Sequence, residues 1–173
     1  KLMIKLRNRL QIPSILDKEN LVGIELGVAG GDFSKSLVES YDFVQFYCID
    51  RWSDHHDVNE YFSVFKKLYD RCTVLRCTFD EALQLFEDEY FDFIYIDGYA
   101  HTGQESGETL NSWYPKLKCG GIFSGHDYDE EKWPLTFNEV NKFSKRTKKP
   151  IHITNERWSK DNQFSFPSWW CTK

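Results

Sequence analysis

The 173-residue sequence has little of what marks a secreted, membrane-bound or nucleic-acid-binding chain. Its five cysteines, Cys48, Cys72, Cys77, Cys119 and Cys171, are odd in number and form no Cys-x-x-Cys pair. Cys48 and Cys72 sit in apolar runs, where a thiol behaves as a small hydrophobe. A disulfide framework or a thiolate zinc site is therefore not expected, and a reducing cytoplasm fits best. No stretch approaches the roughly 20 apolar residues a membrane span needs. Residues 1–10 alternate basic and apolar positions without the continuous apolar core of a signal peptide. A net charge of -5 gives no global pull toward nucleic acid. Internal repeats and low-complexity segments are missing too. What remains, 40% apolar with charges of both signs well mixed, reads as globular. The length favours one domain over 1–173, with a lead-in at 1–20 and a body of strands and helices at 21–173.

Strand and helix patterns alternate along that body. Leu2, Ile4, Leu6 and Leu10 predict a short leading helix stopped near Pro13. Buried strands are expected at 21–26, 44–49, 73–75, 91–96 and 122–125, since near-continuous apolar runs suit parallel strands covered on both faces. Val58, Tyr61, Phe62, Phe65, Leu68 and Tyr69 recur at helical spacing. Phe79, Ala82, Leu83 and Phe86 mark another helix, as do Leu110, Trp113, Tyr114 and Leu117. Trp133-Pro134 opens a further one, with Pro favoured in the first turn. Residues 151–154 and 164–171 read as two closing strands. The expected fold is α/β, doubly wound, with the strand ends sharing one edge where ligands bind.

The first strand runs into Glu25-Leu26-Gly27-Val28-Ala29-Gly30-Gly31. Small residues let backbone approach a ligand, and the following helix start offers N–H groups. A dinucleotide site wants G-x-G-x-x-G. Counted from Gly27, that pattern needs Gly at Ala29 and at Asp32, and Asp32 would set an anion beside a pyrophosphate. S-adenosylmethionine carries no phosphate but has a sulfonium and an amino-acid end. Glu25 can then accept hydrogen bonds around the ammonium, and Asp50, at the end of the second strand, can chelate two ribose hydroxyls.

E-x-G-x-A-x-G resembles the first motif of class I S-adenosylmethionine-dependent methyltransferases, with Ala29 in place of the middle Gly. Asp50-Arg51-Trp52 resembles their acidic second motif. Residues 91–98 (FDFIYIDG), 113–122 (WYPKLKCGGI) and Gly125-His126-Asp127-Tyr128 are similar to the small-molecule and sugar O-methyltransferase group, relatives of macrocin and catechol O-methyltransferases. The resemblance implies a seven-stranded, mostly parallel, Rossmann-like sheet whose last strand is antiparallel. It also implies adenine contacts after strand three, from Thr78 and Phe79, with core packing as the other reading of Phe79. Trp52 is expected at the border of the ribose. The cofactor set is thus Glu25, Gly27, Ala29, Gly31, Asp50, Arg51, Trp52, Thr78, Phe79 and Asp97.

Asp97 and Asp127 end adjacent strands, so both carboxylates can face one point. A divalent cation such as Mg²⁺ would neutralise them and lower the pKa of a substrate hydroxyl. In the metal-dependent relatives, acids at these two positions bind the metal. His126 is a third ligand candidate, and an imidazole suits Mn²⁺ better than Mg²⁺. His101 is the general-base candidate by its pKa, with Asp97 beside it in the catalytic set. The relatives' D-G-x-H is one residue longer here, as Asp97-Gly98-Tyr99-Ala100-His101.

Trp158, Trp169 and Trp170 read as core or homodimer packing, or as acceptor-pocket walls. Lys142, Lys145, Arg146, Lys148 and Lys149 read as a solvated helix end. The expected activity is methylation of oxygen on a small molecule or sugar. A catalytically silent S-adenosylmethionine-binding module and a nicotinamide-dependent oxidoreductase are the alternatives.

Overall fold

The computed structural model describes residues 4–98, 104–162 and 165–173. Its frame is a seven-stranded sheet of β1 (Leu21–Leu26), β2 (Phe43–Asp50), β3 (Thr73–Arg76), β4 (Phe91–Ile96), β5 (Leu117–Gly125), β6 (His152–Ile153) and β7 (Trp169–Thr172), in spatial order β3-β2-β1-β4-β5-β7-β6. The pairs among β1 to β5 are parallel, while β7 runs antiparallel to both β5 and β6. This is the doubly wound, mostly parallel sheet with an antiparallel last strand that the sequence predicts. The order reverses between β1 and β4, which opens a crevice at their carboxyl ends.

The helices follow from periodicity and caps. They are α1 (Asp32–Ser40), α2 (Val58–Leu68), α3 (Phe79–Leu83), α4 (Glu108–Trp113) and α5 (Pro134–Thr147). Asp57 caps α2 by accepting the N–H groups of Asn59 and Glu60. Thr78 and Glu81 form a reciprocal capping box at α3. Pro134 opens α5, where its missing N–H leaves no hydrogen bond unmade. One apolar cluster packs β2, β3 and β4 against α1 and α2; a second, which takes Ile24 and Leu26 of β1, packs the opposite face under α4 and α5. Trp169 and Trp170 are buried in these clusters, as the core reading expected.

Four local expectations are corrected. The lead-in is not a helix stopped at Pro13 but a 3-10 helix, Arg9–Leu16, with Pro13 inside it and Asn8 as its cap. The looser hydrogen bonding of a 3-10 turn tolerates a residue with no N–H. Gly120 and Gly121 lie inside β5, which begins at Leu117; the ladder to β4 shifts register there. Tyr114 leaves the helix predicted with Leu110 and Trp113, because Pro115 breaks it into a 3-10 turn. α3 ends at Leu83, before Phe86. The five cysteines are unpaired. No helix among the described residues is long and apolar enough to cross a membrane.

At the amino edge of the sheet, buried Asp92 joins three chain segments. Its carboxylate accepts from Lys18 Nζ (2.6 Å), the Val22 N–H (2.9 Å) and Lys118 Nζ (3.4 Å). Burial pushes its pKa up, but the lysines and the N–H outweigh this and hold it below its ordinary value. Stability from this carboxylate is present above the unfolded-state pKa of about 3.9 and is lost as pH falls through the folded one. Asp92→Asn should therefore lose about 1–3 kcal/mol at pH 7. In urea titrations the deficit should disappear in acid, where the wild-type carboxyl is protonated too.

Candidate functional site

The turn after β1 is held from within. Gly27 has φ 93°, and a Cβ there would stand 2.1 Å from the Asp97 carbonyl oxygen, so only glycine lets the ends of β1 and β4 meet. Asp50 Oδ2 accepts the N–H groups of Val28 and Ala29, both at 2.9 Å, while Oδ1 accepts that of Trp52 at 3.0 Å. The Gly27 N–H donates to the Ile49 carbonyl and the Gly31 N–H to that of Val28. Trp52 is fully buried, packs at a tilt against Tyr61, and its indole N–H donates to the Ala29 carbonyl at 3.0 Å. Ala29 itself sits in the left-handed region, at φ 50°. Asp50 and Trp52 thus clamp both sides of one strained residue.

Beside this turn lies a cavity of about 580 Å³, a usual size for a small-ligand site. Glu25 stands at its floor with 2% of its surface exposed. Ser34 Oγ donates to Glu25 Oε2 at 3.1 Å. Burial raises the Glu25 pKa well above its ordinary value, with Asp97 adding to the rise and Arg9 and Ser34 opposing it. A cationic group entering the cavity would favour its charged form.

Arg9 reaches the cavity from the lead-in. Its Nη1 is 2.9 Å from Asp97 Oδ2, and its guanidinium lies 4.0 Å over the Phe33 ring. Burial works against its charge, but Tyr95, Asp97 and Glu25 outweigh this and keep it protonated. Asp97, His126 and Asp127 bring one ligand atom each within 4.8 Å of one another. Their donor types fit a divalent ion of the Mn²⁺ kind, although one Asp97 oxygen already serves Arg9. His126 stands behind Asp127: its Nε2 is 3.4 Å from Asp127 Oδ1, and its Nδ1 meets Tyr95 Oη and Ser168 Oγ. Burial also holds the Tyr95 hydroxyl far above its ordinary pKa, so it remains a neutral partner to that imidazole.

The structure brings most of the expected residues to this one cavity. Glu25, Gly27, Ala29, Gly31, Asp50, Arg51, Thr78, Phe79, Asp97 and Asp127 all line it. Trp52 does not: it lies beneath the turn as a brace, because its ring is consumed by the apolar cluster. Asp50 is committed to the backbone as well, since three N–H groups occupy three of roughly four acceptor positions on its carboxylate. Thr78 caps α3 and lines the cavity, and Phe79 packs on Gly98 while lining the same cavity. His101 lies outside the described residues. Arg9, Phe33 and Trp133 also line the cavity and carried no sequence motif. His55 and His56, adjacent in a loop, line it too, with rings 4.0 Å apart.

Residues 24–128 match the model of a family described as a methyltransferase domain, and the chain belongs to that family. No curated protein matches it. Solved structures share its fold at low identity. An O-methyltransferase from Bacillus cereus, solved in complex with SAH, is 15% identical with a TM-score of 0.67, over 95% of this chain and 79% of that one. Precorrin-6y C5,15-methyltransferase from Geobacter metallireducens is 14% identical with a TM-score of 0.67, over 95% and 86%. Precorrin 8w decarboxylase from Methanobacterium thermoautotrophicum is 18% identical with a TM-score of 0.66, over 99% and 100%.

The buried Glu25 gives a direct test of the site's electrostatics. Its folded pKa exceeds the unfolded value of about 4.3, so the charge it acquires in the unfolded chain favours unfolding as pH rises past that value. Glu25→Gln should therefore melt higher than wild type at pH 8, by about 2–4 °C for each kcal/mol of relieved charge burial. Calorimetric melts from pH 4 to 8 should show the gap widening with pH.

Proposed function

We propose that this protein transfers a methyl group from S-adenosylmethionine to an oxygen of a small molecule or sugar, with a divalent ion assisting. The observation that carries the cofactor choice is the internal use of the turn's N–H groups. Those of Gly27, Val28, Ala29 and Gly31 bond to Ile49, Asp50 and Val28 rather than facing the cavity. A pyrophosphate needs such donors, and Asp32 at the start of α1 would repel it as well. A nicotinamide dinucleotide is therefore disfavoured. An adenosyl group joined to a zwitterionic amino acid suits the same surface.

Within that reading, Glu25 receives the ammonium end, Asp50 one ribose hydroxyl, and Thr78 and Phe79 the base. S-adenosylmethionine supplies a methyl group on a sulfonium, ready for in-line displacement. The chain's task is to align the acceptor and remove its proton. His101 is the proposed base. Asp97, His126 and Asp127 would hold the ion, which when bound lowers the pKa of an acceptor hydroxyl. Choice of oxygen rests on the motif resemblance at residues 91–128; the solved neighbours also include a methyltransferase whose name specifies carbon positions. Trp133, 40% exposed and on the cavity wall, is a proposed acceptor contact.

Titration calorimetry with S-adenosylmethionine, with NAD⁺ in parallel, tests the cofactor. Micromolar binding, on the order of -8 kcal/mol, is expected for S-adenosylmethionine alone. A preference for NAD⁺, or no S-adenosylmethionine binding by folded protein, would overturn the proposal. EDTA should leave this binding intact and lower methyl transfer, with Mn²⁺ restoring it.

Base and cofactor roles separate kinetically. His101→Asn should lower kcat about 10²–10⁴-fold and leave the S-adenosylmethionine Kd unchanged. Transfer that is absent from wild type with every acceptor, despite binding, would point to the silent module instead.

A further inference from the structure

A half-buried arginine from a segment outside the motif-bearing body is the least expected group in this cavity. Arg9 opens the 3-10 helix of the lead-in, and that segment is strapped to the body at two points. The Asn155 N–H donates to the Leu6 carbonyl at 2.9 Å, and Tyr41 Oη donates to the Leu10 carbonyl at 2.5 Å. The Phe33 face fixes the plane of the guanidinium at 4.0 Å. One of its five N–H groups serves Asp97, and Tyr95 is a further hydrogen-bond partner.

An α-amino acid carries its cation and its anion on one carbon. Its receptor therefore needs an acid and a base side by side. Glu25 and Arg9 meet that need: both line the cavity, Glu25 on β1 and Arg9 held by Asp97 at the end of the neighbouring strand β4. We propose that Arg9 binds the carboxylate of the methionine moiety of S-adenosylmethionine, as the cationic half of an amino-acid receptor whose anionic half is Glu25. This inference rests on S-adenosylmethionine being the methyl donor. It makes the lead-in part of the cofactor site, and it makes Arg9 the group that tells the amino-acid-bearing cofactor from a bare thioadenosine.

A structural role competes with this one. Arg9 paired to Asp97 could simply latch the lead-in over the cavity, in which case its loss would loosen every ligand alike. Two ligands separate the roles: S-adenosylhomocysteine, which has the amino-acid end, and 5′-methylthioadenosine, which lacks it. Both are titrated calorimetrically into wild type, Arg9→Met and Arg9→Lys. Arg9→Met should weaken S-adenosylhomocysteine by 10- to 100-fold and change methylthioadenosine by less than about threefold; Arg9→Lys should recover part of the loss. Equal weakening of the two ligands, or no weakening of either, would overturn the inference and leave the methyl-donor reading in place. Failure of wild type to bind S-adenosylhomocysteine would overturn the methyl-donor reading itself, and the inference with it. Retained methylthioadenosine binding by Arg9→Met doubles as the control that the variant is folded.

Discussion

The hydrogen bonds from Val28 and Ala29 to Asp50 are the constraint on which the site depends. They tie the end of β2 to the turn after β1 and hold Ala29 in the left-handed region, where a non-glycine residue is uncommon. The indole of Trp52 grips the same residue from below. Because those two donors are engaged, they are not offered to the cavity as an anion cradle. The same acid that reads as a ribose contact is therefore first a structural clamp. Its remaining capacity for a ligand follows from how many lone pairs the backbone leaves it.

Electrostatics on the cavity floor follow a second rule. Burial works against the charge of a carboxyl that lacks a full partner, whereas an arginine beside acids keeps its charge. Glu25 and Arg9 are placed on opposite sides of that rule. An ammonium group arriving beside Glu25 would favour its charged form.

Much of this was legible in the sequence, and the reasons differ by residue. Strands 91–96 and 21–26 were readable because runs buried on both faces leave a near-continuous apolar signal, broken only by Asp92 and Glu25. Arg9 was not readable: it reaches Asp97 across 88 positions, and no local pattern marks a residue whose partner is that far along the chain. Trp52 was placed at the ligand because it follows Asp50 in a motif, yet tertiary packing turned its ring inward. Gly120 and Gly121 fall outside the strand predicted at 122–125, yet they extend β5: the β4 ladder skips them at its register shift, and they bond instead to Lys173 beyond β7.

The way the turn's amides are used has a bearing on competition in a crowded solution. Most adenine compounds in a living cell carry phosphate, and many proteins of related topology greet them with a ring of open amides. Here the Val28 and Ala29 amides close on a carboxylate of the protein's own, with Asp32 lining the cavity nearby. Under the proposed choice of cofactor, discrimination against phosphate-bearing nucleotides would need no gate and no moving part, because the resting backbone already holds those two donors.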